Sequence, residues 1–142
     1  MKRHIIFFLV VSGLTIISCG GQSHKDDRSL ASDTGKAVIS FNAYEHDFGK
    51  VKEGERVGCF FTFQNNGTGS LVINSATASC GCTVPKYDKK PVAPGKTGSI
   101  EVIFDTSGRN GMQTKTITVK SNATKPVVLL KITTEVINNN NN

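Results

Sequence analysis

The sequence predicts an all-β protein: a single antiparallel, immunoglobulin-like β-sandwich of about seven short strands over residues 37–137. Three observations carry this expectation. Apolar and polar side chains alternate in segment after segment, the two-residue period of a half-buried strand. Val, Ile and Thr dominate those segments, and branched side chains suit a pleated surface. No stretch of this region combines a 3.6-residue apolar period with helix caps.

The strands follow in order. Val38 to Phe41 and His46 to Val51 are short early segments. Arg56 to Phe63 alternates cleanly, with Val57, Cys59, Phe61 and Phe63 on one face and Gly58, Phe60, Thr62 and Gln64 on the other. Asn65-Asn66-Gly67 then supplies a turn, because Asn and Gly tolerate positive φ. Ser70 to Ala76 places Leu71 and Ile73 on one face. Pro94-Gly95 signals a second turn before Gly98 to Asp105, where Ile100, Val102 and Phe104 oppose Ser99, Glu101 and Ile103. Ser107 to Gly111 reads as a loop. Gln113 to Ser121 turns Ile117 and Val119 inward, and Lys125 to Val136 closes the domain with Val128, Leu130, Ile132 and Val136. The chain has no Trp, so the sandwich is not of the antibody kind. A region of this size can bury about two-thirds of its unfolded surface.

The N-terminus carries an address. Lys2 and Arg3 precede an apolar run from Ile5 to Ile17, the charged and apolar parts of a secretory signal. The run is short for a membrane span, which needs about 20 apolar residues. Ile16-Ile17-Ser18-Cys19-Gly20-Gly21 resembles the bacterial lipobox. The resemblance implies removal of residues 1–18 and acylation of Cys19, palmitate included, on its sulfur and new amino group. The expectation is a lipoprotein held in a bacterial envelope membrane through Cys19, the outer one rather than the inner one in a Gram-negative cell.

Residues 19–36 read as the acylated Cys and a disordered linker, since only Leu30 and Ala31 between Gly20 and Lys36 are apolar. A coil of that length reaches very roughly 20–25 Å. Within it lies a charged cluster, His24-Lys25-Asp26-Asp27, similar to tracts that direct some lipoproteins to the outer face. Residues 138–142 form a polar Asn tail with nothing to pack.

The formal net charge is +6, falling to +4 once Lys2 and Arg3 leave. The basic residues are spread along the chain with no aromatic interleaving, which gives nucleic-acid binding no support. Asp47-Phe48-Gly49, Val51-Lys52-Glu53-Gly54-Glu55, Phe61 to Gly67, Ala78-Ser79-Cys80-Gly81-Cys82-Thr83-Val84-Pro85 and Ile103 to Arg109 together resemble an uncharacterised bacterial lipoprotein family with a Hydin-like, major-sperm-protein-like immunoglobulin fold. The resemblance covers residues 43–136 and implies the fold, while the family carries no established activity. Its eukaryotic relatives act as docking modules, an analogy at the level of fold alone.

Cys80-Gly81-Cys82 is the one chemically pointed segment. Residues i and i+2 of an extended strand share a face with Cα atoms ~7 Å apart, beyond ordinary disulfide reach, but a bend at Gly81 brings them into range. Three readings stay open: a reversible disulfide, structural or redox; a pair of thiolates for a soft ion such as Cu(I); or two thiols, or one of them paired with Cys59, with a role in loop packing. Cys59 itself reads as a small buried hydrophobe. Met112 reads as core before it reads as a third soft ligand. A four-ligand zinc site lacks a second Cys pair.

Other motifs fail on their context. Gly95-Lys96-Thr97 has Lys90 where a phosphate loop needs glycine, and a strand follows instead of a helix. His46-Asp47 is tied to no nucleophile. Asn66-Gly67-Thr68 and Asn122-Ala123-Thr124 read as turn chemistry. No catalytic residue, cofactor or small-molecule substrate is indicated. The favoured expectation is a non-enzymatic interaction or structural module with an envelope protein as partner. The alternative is thiol redox or Cu(I) handling through Cys80 and Cys82.

Overall fold

A computed structural model of the chain describes residues 35–138. Cys19, the signal segment, the charged cluster His24 to Asp27 and Asn139 to Asn142 lie outside the described residues. Eight strands form: β1 (Ile39–Phe41), β2 (Glu45–Lys52), β3 (Arg56–Asn65), β4 (Ile73–Ala78), β5 (Thr83–Tyr87), β6 (Thr97–Asp105), β7 (Gly111–Ser121) and β8 (Val127–Ile137). They build two four-stranded sheets, β1-β3-β6-β5 and β2-β8-β7-β4. The described residues contain no helix.

The eighth strand, absent from the sequence expectation, is β5. Pro85 in its middle argues against a strand, but β5 is an edge and tolerates it. The amide of Asp105 donates to the carbonyl of Cys82 at 2.9 Å. By antiparallel alternation the backbones of Val84 and Lys86 then face β6, and the Pro85 nitrogen points away from the ladder. The second departure is β2, which pairs with β8 in parallel while the other named pairs are antiparallel. That pair slips register between Asp47 and Lys50. Gly49 sits in the slip at φ 68°, where an L side chain is strained, and its carbonyl accepts the Thr134 hydroxyl at 2.7 Å.

The alternation puts the intended side chains between the sheets. Phe61, Ile100, Val102 and Phe104 from one sheet meet Ile117, Val119, Leu130 and Ile132 from the other, all buried. Leu71 is fully buried as well, but it lies outside β4 and bridges Val92. Between Ile73 and Ser75 the register of β4 shifts. The shift reverses the inward phase, so Ala76, Ala78 and then Cys82 pack against the core after Leu71 and Ile73. Met112 corrects the expectation of a core residue: it stands 71% exposed on the outer face of β7, paired with Glu135.

The two ends of the sandwich are closed by different devices. At one end the incoming segment Gly35–Val38 meets the turn after β3 and the β7–β8 loop, and the β5–β6 loop is bonded to Asn65. The Thr68 amide donates to the Lys36 carbonyl at 3.0 Å and the Thr124 amide to the Ala37 carbonyl at 2.9 Å. Asn65, fully buried, ties this end together. Its side-chain oxygen accepts from the amides of Val38 and Gly67, and its nitrogen donates to the carbonyls of Gly69 and Val92. At the opposite end the buried Thr106 hydroxyl lies 2.9 Å from the Lys52 carbonyl and 2.8 Å from that of Glu55, sharing its proton between them.

Candidate functional site

The chemically pointed segment is the crossover from β4 to β5, edge strands of different sheets. The Ser79 amide donates to Thr116 on β7 at 2.9 Å, and the Cys82 carbonyl accepts from Asp105 on β6. The four residues from Cys80 to Thr83 form a turn in which the Thr83 amide donates to the Cys80 carbonyl at 3.3 Å. This bend brings the Cα atoms of Cys80 and Cys82 to 5.4 Å, and a disulfide joins the two sulfurs. The buried Thr83 hydroxyl lies 3.7 Å from the Cys80 sulfur and can donate to it. Gly81 is not among the positive-φ glycines, and a Cβ there would meet nothing within 4 Å. The bend therefore does not require glycine at this position.

Of the three open readings, the bonded pair is the one present. Cys59 is free and buried, opposite Val102 on β6. Burial pushes its thiol up to about 11, because a thiolate there would lose its hydration. A soft ion at Cys80 and Cys82 first requires reduction of the bond. The described residues hold no group of three His, Cys, Asp or Glu side chains placed for a metal.

His46 and Asp47 do not work together. Asp47 accepts the Gly49 amide at 2.9 Å in its own turn, and His46 packs edge-on against Phe48 with ring centroids 4.6 Å apart. Gly95-Lys96-Thr97 runs from a turn into β6. Asn122 latches the β7–β8 loop to the segment before β4: its oxygen accepts from Val72 at 2.8 Å and its nitrogen donates to Ser70 at 2.9 Å. Asp105 is held below the usual carboxylate range, first by hydrogen bonds from the Ser107 side chain and backbone, then by Arg56 and Arg109.

One surface was not singled out in the sequence. Phe60 faces outward from β3 and is 68% exposed. On the same face Gly58, Ile103 and Val84 form one cross-strand row, and Phe60, Glu101 and Lys86 form the next. Val84 is exposed and Ile103 half-buried. Gly58 offers no side chain, which leaves a shallow groove bordered by Arg56, Ile103, Glu101 and Lys86. The outward position of Phe60 is legible in the alternation of β3, but its neighbours come from β5 and β6, about 25 and about 40 residues away in the chain.

The edge beside this face is blunted. Thr83 spends its amide in the turn, and Pro85 has none, so β5 offers few donors to an added strand.

Comparison with solved structures supports the fold, an immunoglobulin-type β-sandwich. The ASH/PapD-like domain 7 of human CEP192 superposes with a TM-score of 0.61 at 9% identity, over 96% of this chain and 99% of that one. A protein of unknown function from Porphyromonas gingivalis W83 gives a TM-score of 0.63 at 19% identity, over 78% of this chain. The secreted serine protease VesC of Vibrio cholerae gives 0.54 at 14% identity, over 70% of this chain. The chain spans 51% of the Porphyromonas protein and 23% of the protease, so these likenesses establish the fold alone. No curated protein sequence matches. Residues 39–136 match the family described as protein of unknown function DUF1573, and the chain belongs to that family.

Proposed function

We propose that the chain is a lipid-anchored envelope protein whose sandwich serves as a non-enzymatic interaction or structural module. The observation that carries the module is the outer face of the β1-β3-β6-β5 sheet. A Phe side chain 68% exposed on the sheet, flanked by Val84 and Ile103 and rimmed by Arg56, Glu101 and Lys86, has the make-up of a protein contact: an aromatic anchor with a charged border. The lipobox-like Ile16 to Cys19 supports the anchor, and a disulfide in the β4–β5 turn suits an oxidising compartment outside the cytoplasm.

The anchor is tested by metabolic labelling with a palmitate analogue in a bacterial host. Label on the wild-type chain and none on Cys19→Ser supports acylation. An unlabelled, uncut chain recovered from the cytosol removes it.

The bonded pair favours a second reading, reversible thiol–disulfide exchange. A partner dithiol would attack one sulfur of Cys80–Cys82. Two electrons and two protons would pass to the pair, leaving two thiols here and a disulfide on the partner. Thiol trapping across buffers of defined redox potential separates the readings. A pair that stays oxidised at potentials typical of structural disulfides ends the exchange reading.

A further inference from the structure

The lysines that look scattered in the sequence gather at one end of the fold. Residues 35–138 carry thirteen Lys and Arg against eight Asp and Glu, a balance of +5. The end closed by Asn65 holds Lys36, Lys89, Lys90, Lys96, Lys120 and Lys125 against Asp88 alone. Those seven groups make up the whole balance; the rest of the described domain is neutral. Strand pairing explains the gathering. Lys36 sits beside Thr68, Lys89 to Lys96 form the loop entering β6, and Lys120 and Lys125 flank the β7–β8 turn.

All seven residues are exposed. The ion pairs found among the described residues, Lys50–Glu135, Arg56–Asp105 and Lys131–Glu45, use none of these lysines. Asp88 is turned to its own loop, accepting the Lys90 amide at 2.9 Å. An open groove beside the loop brings Lys86 to the border of the same end, next to Lys90 and Lys96. Val38 and Val127 stand exposed among the lysines.

The chain also enters the sandwich here. Gly35 is seated against Thr68 and Gly69, and only residues 20–34 separate it from Cys19 in the sequence. A lipid on Cys19 would therefore hold this end, and not the neutral one, nearest the bilayer. Net positive charge placed there meets anionic headgroups, whose attraction acts only within a Debye length of the surface.

We infer that the lysine end is a membrane-facing surface that lies on anionic phospholipid. It would stand the sandwich on the bilayer with the Thr106 end outward and the Phe60 face to the side. This rests on the anchored reading above, but its chemistry is separable from acylation.

The test uses residues 19–142 with Cys19→Ser, which keeps the whole sandwich and carries no lipid. Sedimentation is measured with vesicles of phosphatidylglycerol and phosphatidylcholine, and with phosphatidylcholine alone. The expected result is low-salt binding to the anionic vesicles only, abolished in roughly 1 M salt. K89Q/K90Q/K125Q should weaken it by on the order of tenfold or more. K50Q/K52Q/R56Q, which removes the same charge from the opposite end, should leave most of it. Circular dichroism confirms that both variants fold. Absence of binding at low salt, equal loss in the two triple variants, or equal binding to neutral vesicles would overturn the inference. So would preference for an anionic polymer such as DNA over the vesicles. Because the protein tested is not acylated, a negative result here leaves the palmitate labelling of the wild type to stand or fall separately.

Discussion

The side-chain nitrogen of Asn65 donates to the carbonyl of Val92 at 2.9 Å, across 27 residues of chain. The same nitrogen reaches Gly69, and the oxygen takes the amides of Val38 and Gly67. One buried amide thus fixes the incoming segment, the β3 turn and the β5–β6 loop. Asn65→Ala would leave several buried or half-buried backbone groups without partners, at a cost of ~3 kcal/mol or more. Urea unfolding should show a lower midpoint, and loss of protection at Val38 and Gly67 should precede global unfolding in hydrogen exchange. A shift no larger than that of an ordinary surface substitution contradicts this role.

Gly67 allows the close approach that Asn65 organises. A Cβ there would strike the Lys36 carbonyl and the Val38 nitrogen, both backbone atoms. Gly67→Ala should destabilise by ~1–3 kcal/mol. Gly81→Ala has open space and no positive φ, and should fall within ~0.5 kcal/mol of wild type with the Cys80–Cys82 bond still formed. Mass spectrometry after alkylation without reductant reads the bond. A Gly81→Ala protein with free Cys80 and Cys82 would show that the turn does need glycine.

Cys59 should resist alkylation in the folded protein at pH 8 and react once urea unfolds it. Folding raises its thiol from 9.0 to about 11. The neutral form is the one that folding favours, so this contribution is complete below about pH 9 and is lost as pH climbs through about 11. Cys59→Ala should flatten the alkaline limb of stability against pH while lowering the plateau through the cavity it leaves. Rapid native alkylation would place the thiol outside the core.

Asp105 acts on the acid side with the opposite sign. Its carboxylate is favoured in the folded state by Ser107. Its contribution is present above the ordinary value of 3.8 and is lost as pH falls through the lower folded value. Carboxyl NMR titration should find Asp105 below 3.8, and Ser107→Ala should bring it back toward that value. A titration at or above 3.8 in the wild type contradicts the arrangement.

Local patterns made most of the sandwich legible. The alternation in β3, β6, β7 and β8 predicts which side chains go in, and Phe61, Val102, Ile117 and Leu130 follow it. The misses are long-range effects. β5 hides behind Pro85, whose tolerance depends on being at an edge. The register shift after Ile73 reverses the phase of β4, so the side taken by Cys82 cannot be read by counting from Leu71. Asn65 reads as turn chemistry because its distant partner Val92 is invisible locally. Lys36, Lys89 and Lys125 look dispersed because only pairing brings their segments together. The Cys80–Cys82 pair was legible because its chemistry is contained in three residues.

The Phe60 face should be the part of the molecule that meets a partner. Phe60→Ser should leave stability within ~0.5 kcal/mol, since the ring is largely solvated. The most direct measurement is photocrosslinking in intact cells, with the reactive residue placed at position 60 or, as control, at the exposed Thr77 on the other sheet. Discrete adducts in the membrane fraction from position 60, with none from position 77, are predicted. No adduct from position 60, or the same adducts from both positions, would contradict the reading of this sandwich as a module that docks through its β3–β6–β5 face.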